Sequence, residues 1–326
     1  MARLGHILLT VILVAAFAAA VATRWFSVAV KSTGPLTTEK LVYIAPGTPI
    51  RGIAATLLGN GIIRNDLVFI LDARWRNRTR ELKAGEYEFH PGMTVSDVIT
   101  LLQSGKTYQR RITIPEGLMS FEIVDVLKNE PVLAGEIDSV PPEGSLLPET
   151  YHFTRGDTRQ GVLERMKKSM QAELGAQWEK RAADLPLKTP AEAVILASVV
   201  EKETGLASER PRVAGVFINR LSRSIPLQSD PTVIYAVTLG KEKLLRPLTY
   251  NDLKMPSPYN TYAVQGLPPG PIANPGRASL AAVLNPEKND YIYFVADGTG
   301  GHAFARTLQE HNNNVARWRT LQKSAR

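Results

Sequence analysis

Ile195-Leu-Ala-Ser-Val-Val-Glu-Lys-Glu-Thr204 is an apolar stretch that ends in two carboxylates, Glu201 and Glu203. Just before it, Thr189-Pro-Ala-Glu192 carries a hydroxyl cap, a proline at the first helical position and an acid three residues after the cap, which predicts a helix start. A buried carboxylate is costly unless it is paired, hydrogen-bonded or neutral. An acid with a raised pKa is what general acid catalysis near neutral pH requires. The stretch therefore indicates an enzyme, without saying which carboxylate acts or on what.

Helix geometry separates the two acids. At about 100° per residue, Glu201 and Glu203 point about 160° apart, so they cannot act together on one substrate bond. Glu203 shares its side of the helix with the most apolar residues, whereas Glu201 lies beside small residues that leave room for a ligand. The periodicity favours Glu201 as the catalytic acid and Glu203 as a buried structural acid paired with Arg210 or Arg220, but it leaves the reverse assignment open.

The N-terminus contains an uncharged apolar run of 17 residues, Ile7 to Thr23. This length lies at the lower end of what crosses a bilayer, and Trp25 and Phe26 suit the membrane interface that would follow. An uncleaved anchor is the favoured interpretation. A cleaved signal peptide is the alternative, because residues 18–22 offer an Ala-x-Ala site. Both interpretations export the rest of the chain.

Composition narrows the class of protein. The 326 residues carry a net charge of +8, but the basic residues are scattered, so a nucleic-acid partner is not expected. The chain has no cysteine, which excludes disulfides and thiolate metal sites. The five histidines are scattered without an HExxH pattern. Neither a metal site nor a cofactor is expected.

Three segments share the pattern of a short strand, a Pro/Gly turn and an amphipathic helix: Tyr43–Leu58, Tyr87–Leu102 and Ile112–Leu127. They predict small β-α units that share one sheet. The segment from Leu41 to Lys106 resembles a LysM-like carbohydrate-binding module. The alternative is that these units only pack the core of an α+β domain.

Further patterns predict the remaining elements. Helices are expected over 160–181, from 208 to about 223, over 228–239 and over 304–321, with a strand at 291–295. Six prolines and little periodicity between residues 254 and 277 predict a long irregular stretch, and such loops are often functional.

Several polar residues in this C-terminal half could serve a site. Asp230 precedes a proline and is expected either to cap a helix or to act as a second catalytic carboxylate. Tyr259-Asn-Thr-Tyr262 places two aromatic rings around an amide, a set that can stack on sugar rings and bond N-acetyl groups. Residues 266–276 (GLPPGPIANPG) predict a rigid loop suited to a cleft wall.

Several short motifs occur in a fixed order along the chain, and this order indicates a family. VVEKET (199–204), FINRL (217–221), LQSDPTVIYA (227–236), YNTY (259–262), GLPPGPIANPG (266–276) and YFVADGTGGHAF (293–304) occur in this sequence, preceded by SLLPETY (145–151). In this order they resemble the MltG/YceG-like family of membrane-anchored endolytic murein (peptidoglycan) transglycosylases. The resemblance covers nearly the whole chain.

The resemblance implies a lyase that cleaves the β-1,4 bond between N-acetylmuramic acid and N-acetylglucosamine inside glycan strands. The product is a 1,6-anhydro end, formed without water, and the cleavage terminates strand elongation. One acid can suffice for this reaction, and the resemblance assigns it to the first acid of the E-K-E pattern, Glu201. Glu203 is then a structural acid. The residues expected to line the cleft or orient Glu201 are Gln228, Asp230, Tyr259, Asn260, Tyr262, Asn274 and His302.

The expected fold class is α+β, with a transmembrane helix, a LysM-like α/β module and a mainly helical, partly lysozyme-like catalytic domain with a small sheet. The expected divisions are 1–30 for the anchor, 31–40 for a linker, 41–106 for the module, 107–153 for a connecting subdomain and 154–326 for the catalytic domain. Expected partners are peptidoglycan strands, the bilayer through residues 7–23 and peptidoglycan polymerases. The expected location is the inner (cytoplasmic) membrane, single-pass, with the catalytic domain on the periplasmic side.

Two other functions remain open at this point. One is a hydrolytic muramidase that uses Glu201 together with Asp230, since ordinary glycosidases use two carboxylates. The other is a non-catalytic glycan-binding scaffold built on the LysM-like segment.

Overall fold

The computed structural model describes residues 2–75, 79 and 81–324. The chain forms two compact units. The first comprises residues 1–110 and 154–156, and the second comprises residues 111–153 and 157–326. The predicted five-part division stays a prediction, and each unit is described by itself below.

The first unit begins with helix α1, Ala2–Lys31. Its stretch Gly5–Lys31 reaches a mean hydropathy of 2.3, and none of its most apolar window is buried against the rest of the protein. A helix of this length and composition can cross a bilayer. The 17 apolar residues recognised in the sequence are therefore the centre of a longer helix, which continues through Trp25 and Phe26 without a break.

The rest of the first unit is a small α/β arrangement. Its elements are β1 (Lys40–Ile44), α2 (Ile50–Gly59), α3 (Asp66–Trp75), β2 (Gly85–Phe89) and α4 (Val95–Ser104). β1 and β2 pair antiparallel, with Lys40 opposite Phe89 and Ile44 opposite Gly85. Alternate strand residues such as Val42 and Tyr87 enter a core that the helices cover.

A buried carboxylate, Glu86 on β2, ties the ends of this unit together. It accepts hydrogen bonds from Arg110 Nε at 2.9 Å and from Arg155 Nε at 3.0 Å. Burial by itself would raise the pKa of Glu86, but the hydrogen bonds and charges of the two arginines hold this pKa below its usual value. Residues 154–156 thus belong to the first unit through an ion pair.

The second unit contains the remaining elements. These are β3 (Arg110–Thr113, whose first residue belongs to the first unit), α5 (Ser120–Lys128), β4 (Thr150–Phe153), α6 (Arg159–Glu179), α7 (Pro190–Glu203), α8 (Arg210–Ser222), α9 (Asp230–Thr238), α10 (Tyr250–Leu253), α11 (Arg277–Leu284), β5 (Tyr293–Ala296), β6 (His302–Ala305) and α12 (Leu308–Ser324).

Helix α7 lies at the centre of the second unit. Every residue from Ala193 to Val200 is buried, because α6, α8, α9 and α11 all contact it. A helix that is apolar on all sides is a core helix. Its predicted start is confirmed, since the Thr189 hydroxyl accepts a hydrogen bond from the Glu192 backbone N–H and Pro190 occupies the first turn.

Two expectations about the secondary structure are wrong, one about the sheet and one about the last helix. The three strand–turn–helix segments do form their elements, but they do not share one sheet: β1 pairs with β2, whereas β3 pairs with β4. The expected helix over 304–321 starts later, because Phe304 lies in β6 and pairs with Phe294 of β5. The chain turns into α12 only after Thr307, whose hydroxyl accepts the Glu310 N–H.

Candidate active site

The last turn of α7 carries both acids and presents them to different surroundings. Glu201 and Glu203 are two residues apart, so their side chains leave the helix in nearly opposite directions. The separation predicted from the sequence is confirmed by the different sets of residues that the two carboxyl groups contact.

Glu201 is held on both oxygens. Its Oε1 accepts a hydrogen bond from Arg210 Nη2 at 3.0 Å, and its Oε2 accepts one from the Gly276 backbone N–H at 2.9 Å. The Glu201 side chain is 4% exposed and that of Arg210 is 12% exposed. Gly276 caps the start of α11, where the helix dipole favours a negative charge. These contacts join α7 to the starts of α8 and α11.

Glu203 borders an open cavity of about 290 Å³. The cavity combines polar side chains with an aromatic wall, and two of the residues that line it carry carboxyl groups. Its lining consists of Glu203, Arg220, Leu227, Gln228, Asp230, Tyr262, Phe294, Val295, Ala296 and His302. Four residues predicted to bind substrate, namely Gln228, Asp230, Tyr262 and His302, are thus brought together, but around Glu203 and not around Glu201.

The surroundings of Glu203 raise its pKa to about 7. Burial is the largest cause, and the negative charge of Asp230 is the second, while the Ser229 hydroxyl and the charge of Arg220 act in the opposite direction. Both main causes disfavour the ionised form. Near neutral pH this carboxyl group therefore carries a proton for part of the time, as a general acid must.

Asp230 is the first residue of α9, and the helix cap is Ser229. The expectation that Asp230 caps the helix is therefore wrong. Its Oδ1 instead accepts a hydrogen bond from the Tyr262 hydroxyl at 2.7 Å. Burial, together with this bond and the nearby charge, raises the pKa of Tyr262, so the phenol keeps its proton and remains a donor.

Arg220 fixes the loop that brings Gln228 to the cavity. It donates from Nε to the Ile292 carbonyl at 2.6 Å, and from Nη1 to the Leu227 carbonyl at 2.9 Å and to Gln228 Oε1 at 3.2 Å. Gln228 has a φ of +51°, a left-handed conformation that is unusual outside glycine. A strained residue held by a buried arginine at a cavity is typical of a functional site.

His302 stands at the start of β6 and is held by Glu209. Its Nδ1 lies 2.7 Å from Glu209 Oε2, and its backbone N–H donates to Glu209 Oε1 at 2.9 Å. The imidazole meets Phe294 edge-on, with ring centroids 5.3 Å apart. The histidine is therefore fixed in orientation at the cavity rim.

Three other predicted site residues do not line this cavity. Asn260 is fully buried and donates to the carbonyls of Leu253 and Met255. Tyr259 packs against Tyr235 with ring centroids 4.8 Å apart. Their polar or aromatic groups are engaged within the fold, and their contact with the glycan stays a prediction.

The third of these residues, Asn274, belongs to a separate buried cluster. Its Oδ1 accepts from the Leu146 N–H, and its Nδ2 donates to Ser120 Oγ. Glu143 lies in the same cluster and accepts the Ser120 N–H at 3.0 Å, and burial raises the pKa of Glu143 to about 7. Sequence reasoning missed Glu143, although it lies just before the SLLPETY motif.

Arg220 and Phe294 were also missed as lining residues. Both belong to motifs already singled out, FINRL and YFVADGTGGHAF. Within residues 2–75, 79 and 81–324, no group of three or more His, Cys, Asp or Glu side chains is arranged to hold a metal ion.

These features define a class of α+β protein in which the last turn of a buried helix presents a carboxyl group of raised pKa to an open, partly aromatic cleft. The chain belongs to the YceG-like family, whose model matches residues 42–317.

Individual relatives agree with this membership. An endolytic murein transglycosylase of Bacillus subtilis (strain 168) is 33% identical over 304 residues, which cover 83% of this chain and 82% of that protein. One of Streptococcus pneumoniae (serotype 2, strain D39) is 29% identical over 86% of this chain, but the match spans only 59% of that longer protein. A crystal structure of a YceG-like protein from Listeria monocytogenes, 34% identical, superposes with a TM-score of 0.51 over 85% of this chain and 99% of that one.

The contacts of the two acids predict effects of different size on stability. Glu201→Gln removes the charge that pairs with the nearly buried Arg210, so we expect the free energy of unfolding to fall by about 2 kcal/mol. Glu203→Gln replaces a carboxyl group, whose neutral form is already populated at pH 7, by a neutral group of the same shape, so we expect a change below about 1 kcal/mol. Calorimetry of the full-length protein in detergent at pH 7 measures both. A larger loss for Glu203→Gln would show that Glu203 is the structural acid.

Proposed function

We propose that the protein is an endolytic murein transglycosylase, a lyase that cleaves the β-1,4 bond between N-acetylmuramic acid and N-acetylglucosamine and leaves a 1,6-anhydro end. Family membership and the names of the relatives support the substrate and the reaction. The observation that carries the proposal in this chain is Glu203, a carboxyl group with a pKa near neutrality at an open cavity.

The acid of this reaction is Glu203 and not Glu201. A general acid must reach the bond and must hold a proton at the working pH. Glu201 does not meet the first condition, because both of its oxygens are bonded to donors inside the protein. Glu203 meets both, because it lines the cavity and burial raises its pKa. The two acids of the E-K-E pattern thus exchange the roles expected from the sequence.

In this reaction the Glu203 carboxyl group acts twice, first as the acid and then as the base. The Glu203 carboxyl gives its proton to the glycosidic oxygen as the bond from that oxygen to C1 of the muramic residue breaks. The carboxylate that results takes the proton from the C6 hydroxyl, whose oxygen closes onto C1. Glu203 ends protonated as it began, and no water is consumed. The substrate's own N-acetyl group can stabilise the positive charge that develops at C1.

The negative charge of Asp230 serves the reaction in two ways. Its carboxylate is fixed by the Tyr262 hydroxyl and raises the pKa of Glu203, which keeps the proton available. A negative charge beside the cavity also favours the cationic transition state of glycosidic cleavage. Gln228 and His302 border the same cavity and are the donors proposed to hold the sugar, with Phe294 as the aromatic wall.

Hydrolysis is the second candidate, because Glu203 and Asp230 are two carboxyl groups at one cavity and glycosidases use such pairs. The product distinguishes the two reactions. Transglycosylation gives anhydro ends, which are lighter by one water than the reducing ends that hydrolysis gives.

The finer architecture is proposed on the same basis. The order β1, α2, α3, β2 with its antiparallel pair supports a LysM-like glycan-binding module over 41–106. The central helix α7 with an acid in its last turn supports a partly lysozyme-like catalytic domain. We infer that α1 is a single-pass anchor in the cytoplasmic membrane, with the second unit on the extracytoplasmic side, where it would meet nascent strands beside the polymerases.

The acid assignment predicts a loss of activity in one variant only. Glu203→Gln cannot donate a proton and is expected to release anhydromuropeptides at least about 100-fold more slowly from purified murein. Glu201→Gln keeps the acid and is the matched control, expected to remain active at temperatures where it is folded. Mass spectrometry of the products gives both the rate and the type of end.

An active Glu203→Gln with an inactive, folded Glu201→Gln would reverse the assignment. Reducing ends from the unmodified protein would instead establish hydrolysis.

The pKa of Glu203 predicts the pH dependence. A general acid acts in its protonated form, so kcat/KM is expected to fall as the pH rises through about 7. Asp230→Asn removes a charge that raises this pKa. The falling limb of the plot of kcat/KM against pH is therefore expected to move to lower pH. Asp290→Asn, an exposed acid that does not line the cavity, is the control and should leave the limb in place. A limb that does not move in Asp230→Asn would exclude the proposed electrostatic role.

A further inference from the structure

Helix α3 carries a second apolar face that the first unit does not cover. Its inner face, which includes Val68 and Phe69, is buried in the core. Leu67, Leu71 and Trp75 are nevertheless 62%, 51% and 86% exposed. They follow one another at intervals of four residues and therefore form one stripe along the helix. A continuous exposed apolar stripe marks an interaction surface rather than scattered surface residues.

This stripe borders a groove against the end of α1. The groove has a volume of about 820 Å³ and is mainly apolar. It is lined by Ala22, Thr23, Trp25, Phe26, Ser27, Val30, Lys31, Leu71, Asp72 and Trp75. Both of its walls thus belong to the first unit, and one of them is the helix that is long enough to cross a bilayer.

The position of the groove along α1 fixes its depth. A hydrocarbon core about 30 Å thick corresponds to about 20 helical residues at 1.5 Å each. Counted from Ile7, such a span ends at Phe26. Because α1 is one continuous helix, the segment from Ala22 to Phe26 that lines the groove lies at the boundary of the hydrocarbon. Trp75 lines the same groove, which runs along α1 from Ala22 to Lys31 across this boundary, a region where tryptophan is favoured.

The charges near the groove suit lipid headgroups. Lys31 lines its outer end, about 7.5 Å beyond Phe26 along the helix axis. Arg74 is exposed in the last turn of α3, beside Trp75. Neither cation forms an ion pair with another residue in the described part of the chain. The one acid in the lining, Asp72, is 2% exposed. Unpaired cations at this depth attract anionic lipid.

We propose that this groove binds an anionic phospholipid of the bilayer that α1 crosses. The acyl chains lie against Leu71, Trp75 and Trp25, and the phosphate lies between Lys31 and Arg74. The bound lipid holds the first unit against the membrane surface. The proposal rests on α1 spanning the bilayer, and it is independent of which acid is catalytic.

The absence of cysteine allows a direct test with single-cysteine variants. The full-length protein carrying Leu71→Cys is labelled with the fluorophore NBD and placed in phosphatidylcholine liposomes with and without phosphatidylglycerol. Leu58→Cys, an exposed apolar position of the first unit outside the groove, is the matched control. Phe17→Cys, exposed in the middle of α1, is the reference for membrane insertion.

The expected result is a shift of the Leu71 emission to shorter wavelength and its quenching by lipids spin-labelled near the headgroup. The Leu58 label should instead be quenched by aqueous iodide. Spin-labelled phosphatidylglycerol should quench Leu71 more than spin-labelled phosphatidylcholine does, and Arg74→Gln should remove that difference.

Four outcomes overturn the proposal. Equal quenching of Leu71 and Leu58 by iodide shows an open groove, and protection from both iodide and lipid shows a protein occupant. Equal quenching by the two lipids, with no effect of Arg74→Gln, refutes the anionic headgroup. If lipid quenches neither Phe17 nor Leu71, the membrane anchor itself is wrong, and the groove proposal fails with it.

Discussion

The ion pair between Glu201 and Arg210 is the interaction on which the site depends. It closes the last turn of α7 against the start of α8, and the Gly276 N–H completes it from the start of α11. A pair that is this poorly exposed is costly to break, because the partner that remains would be a buried, uncompensated charge. The last turn of the helix is thereby held in one orientation. Glu203, two residues further on, consequently lines the cavity.

The two acids show how one helix can give two carboxyl groups different chemistry. Arg210 and the Gly276 N–H are bonded to the two oxygens of Glu201, whereas burial and Asp230 disfavour the negative charge of Glu203. The first acid is therefore bonded within the fold, and the pKa of the second is raised to about 7. Environments that push the protonation of neighbouring acids apart are the general means by which proteins assign acid and base roles. Here the difference between the two acids comes from the different packing on the two sides of α7.

The sequence anticipated much of the fold because the relevant signals are local. The Thr189 cap, the proline at the helix start and the apolar run specify α7 from neighbouring residues alone. The same holds for the strand–turn–helix segments and for the long apolar helix at the N-terminus. Prediction failed where pairing between distant residues decided the outcome. Phe304 has a helical pattern around it, yet it joins β6 because Phe294 and the β5 backbone lie opposite.

The sequence by itself determined that two acids end a buried helix, that they point in opposite directions and that the chain carries the ordered motifs of the YceG-like family. It also indicated Gln228, Asp230, Tyr262 and His302 as site residues. Only the tertiary structure decided which acid these residues surround. That choice depends on where Arg210, Arg220 and Gly276 come to lie, and all three reach α7 from other elements. A periodic pattern records how apolar the neighbours along a helix are, whereas the pKa of a carboxyl group depends on charges and donors brought to it through space.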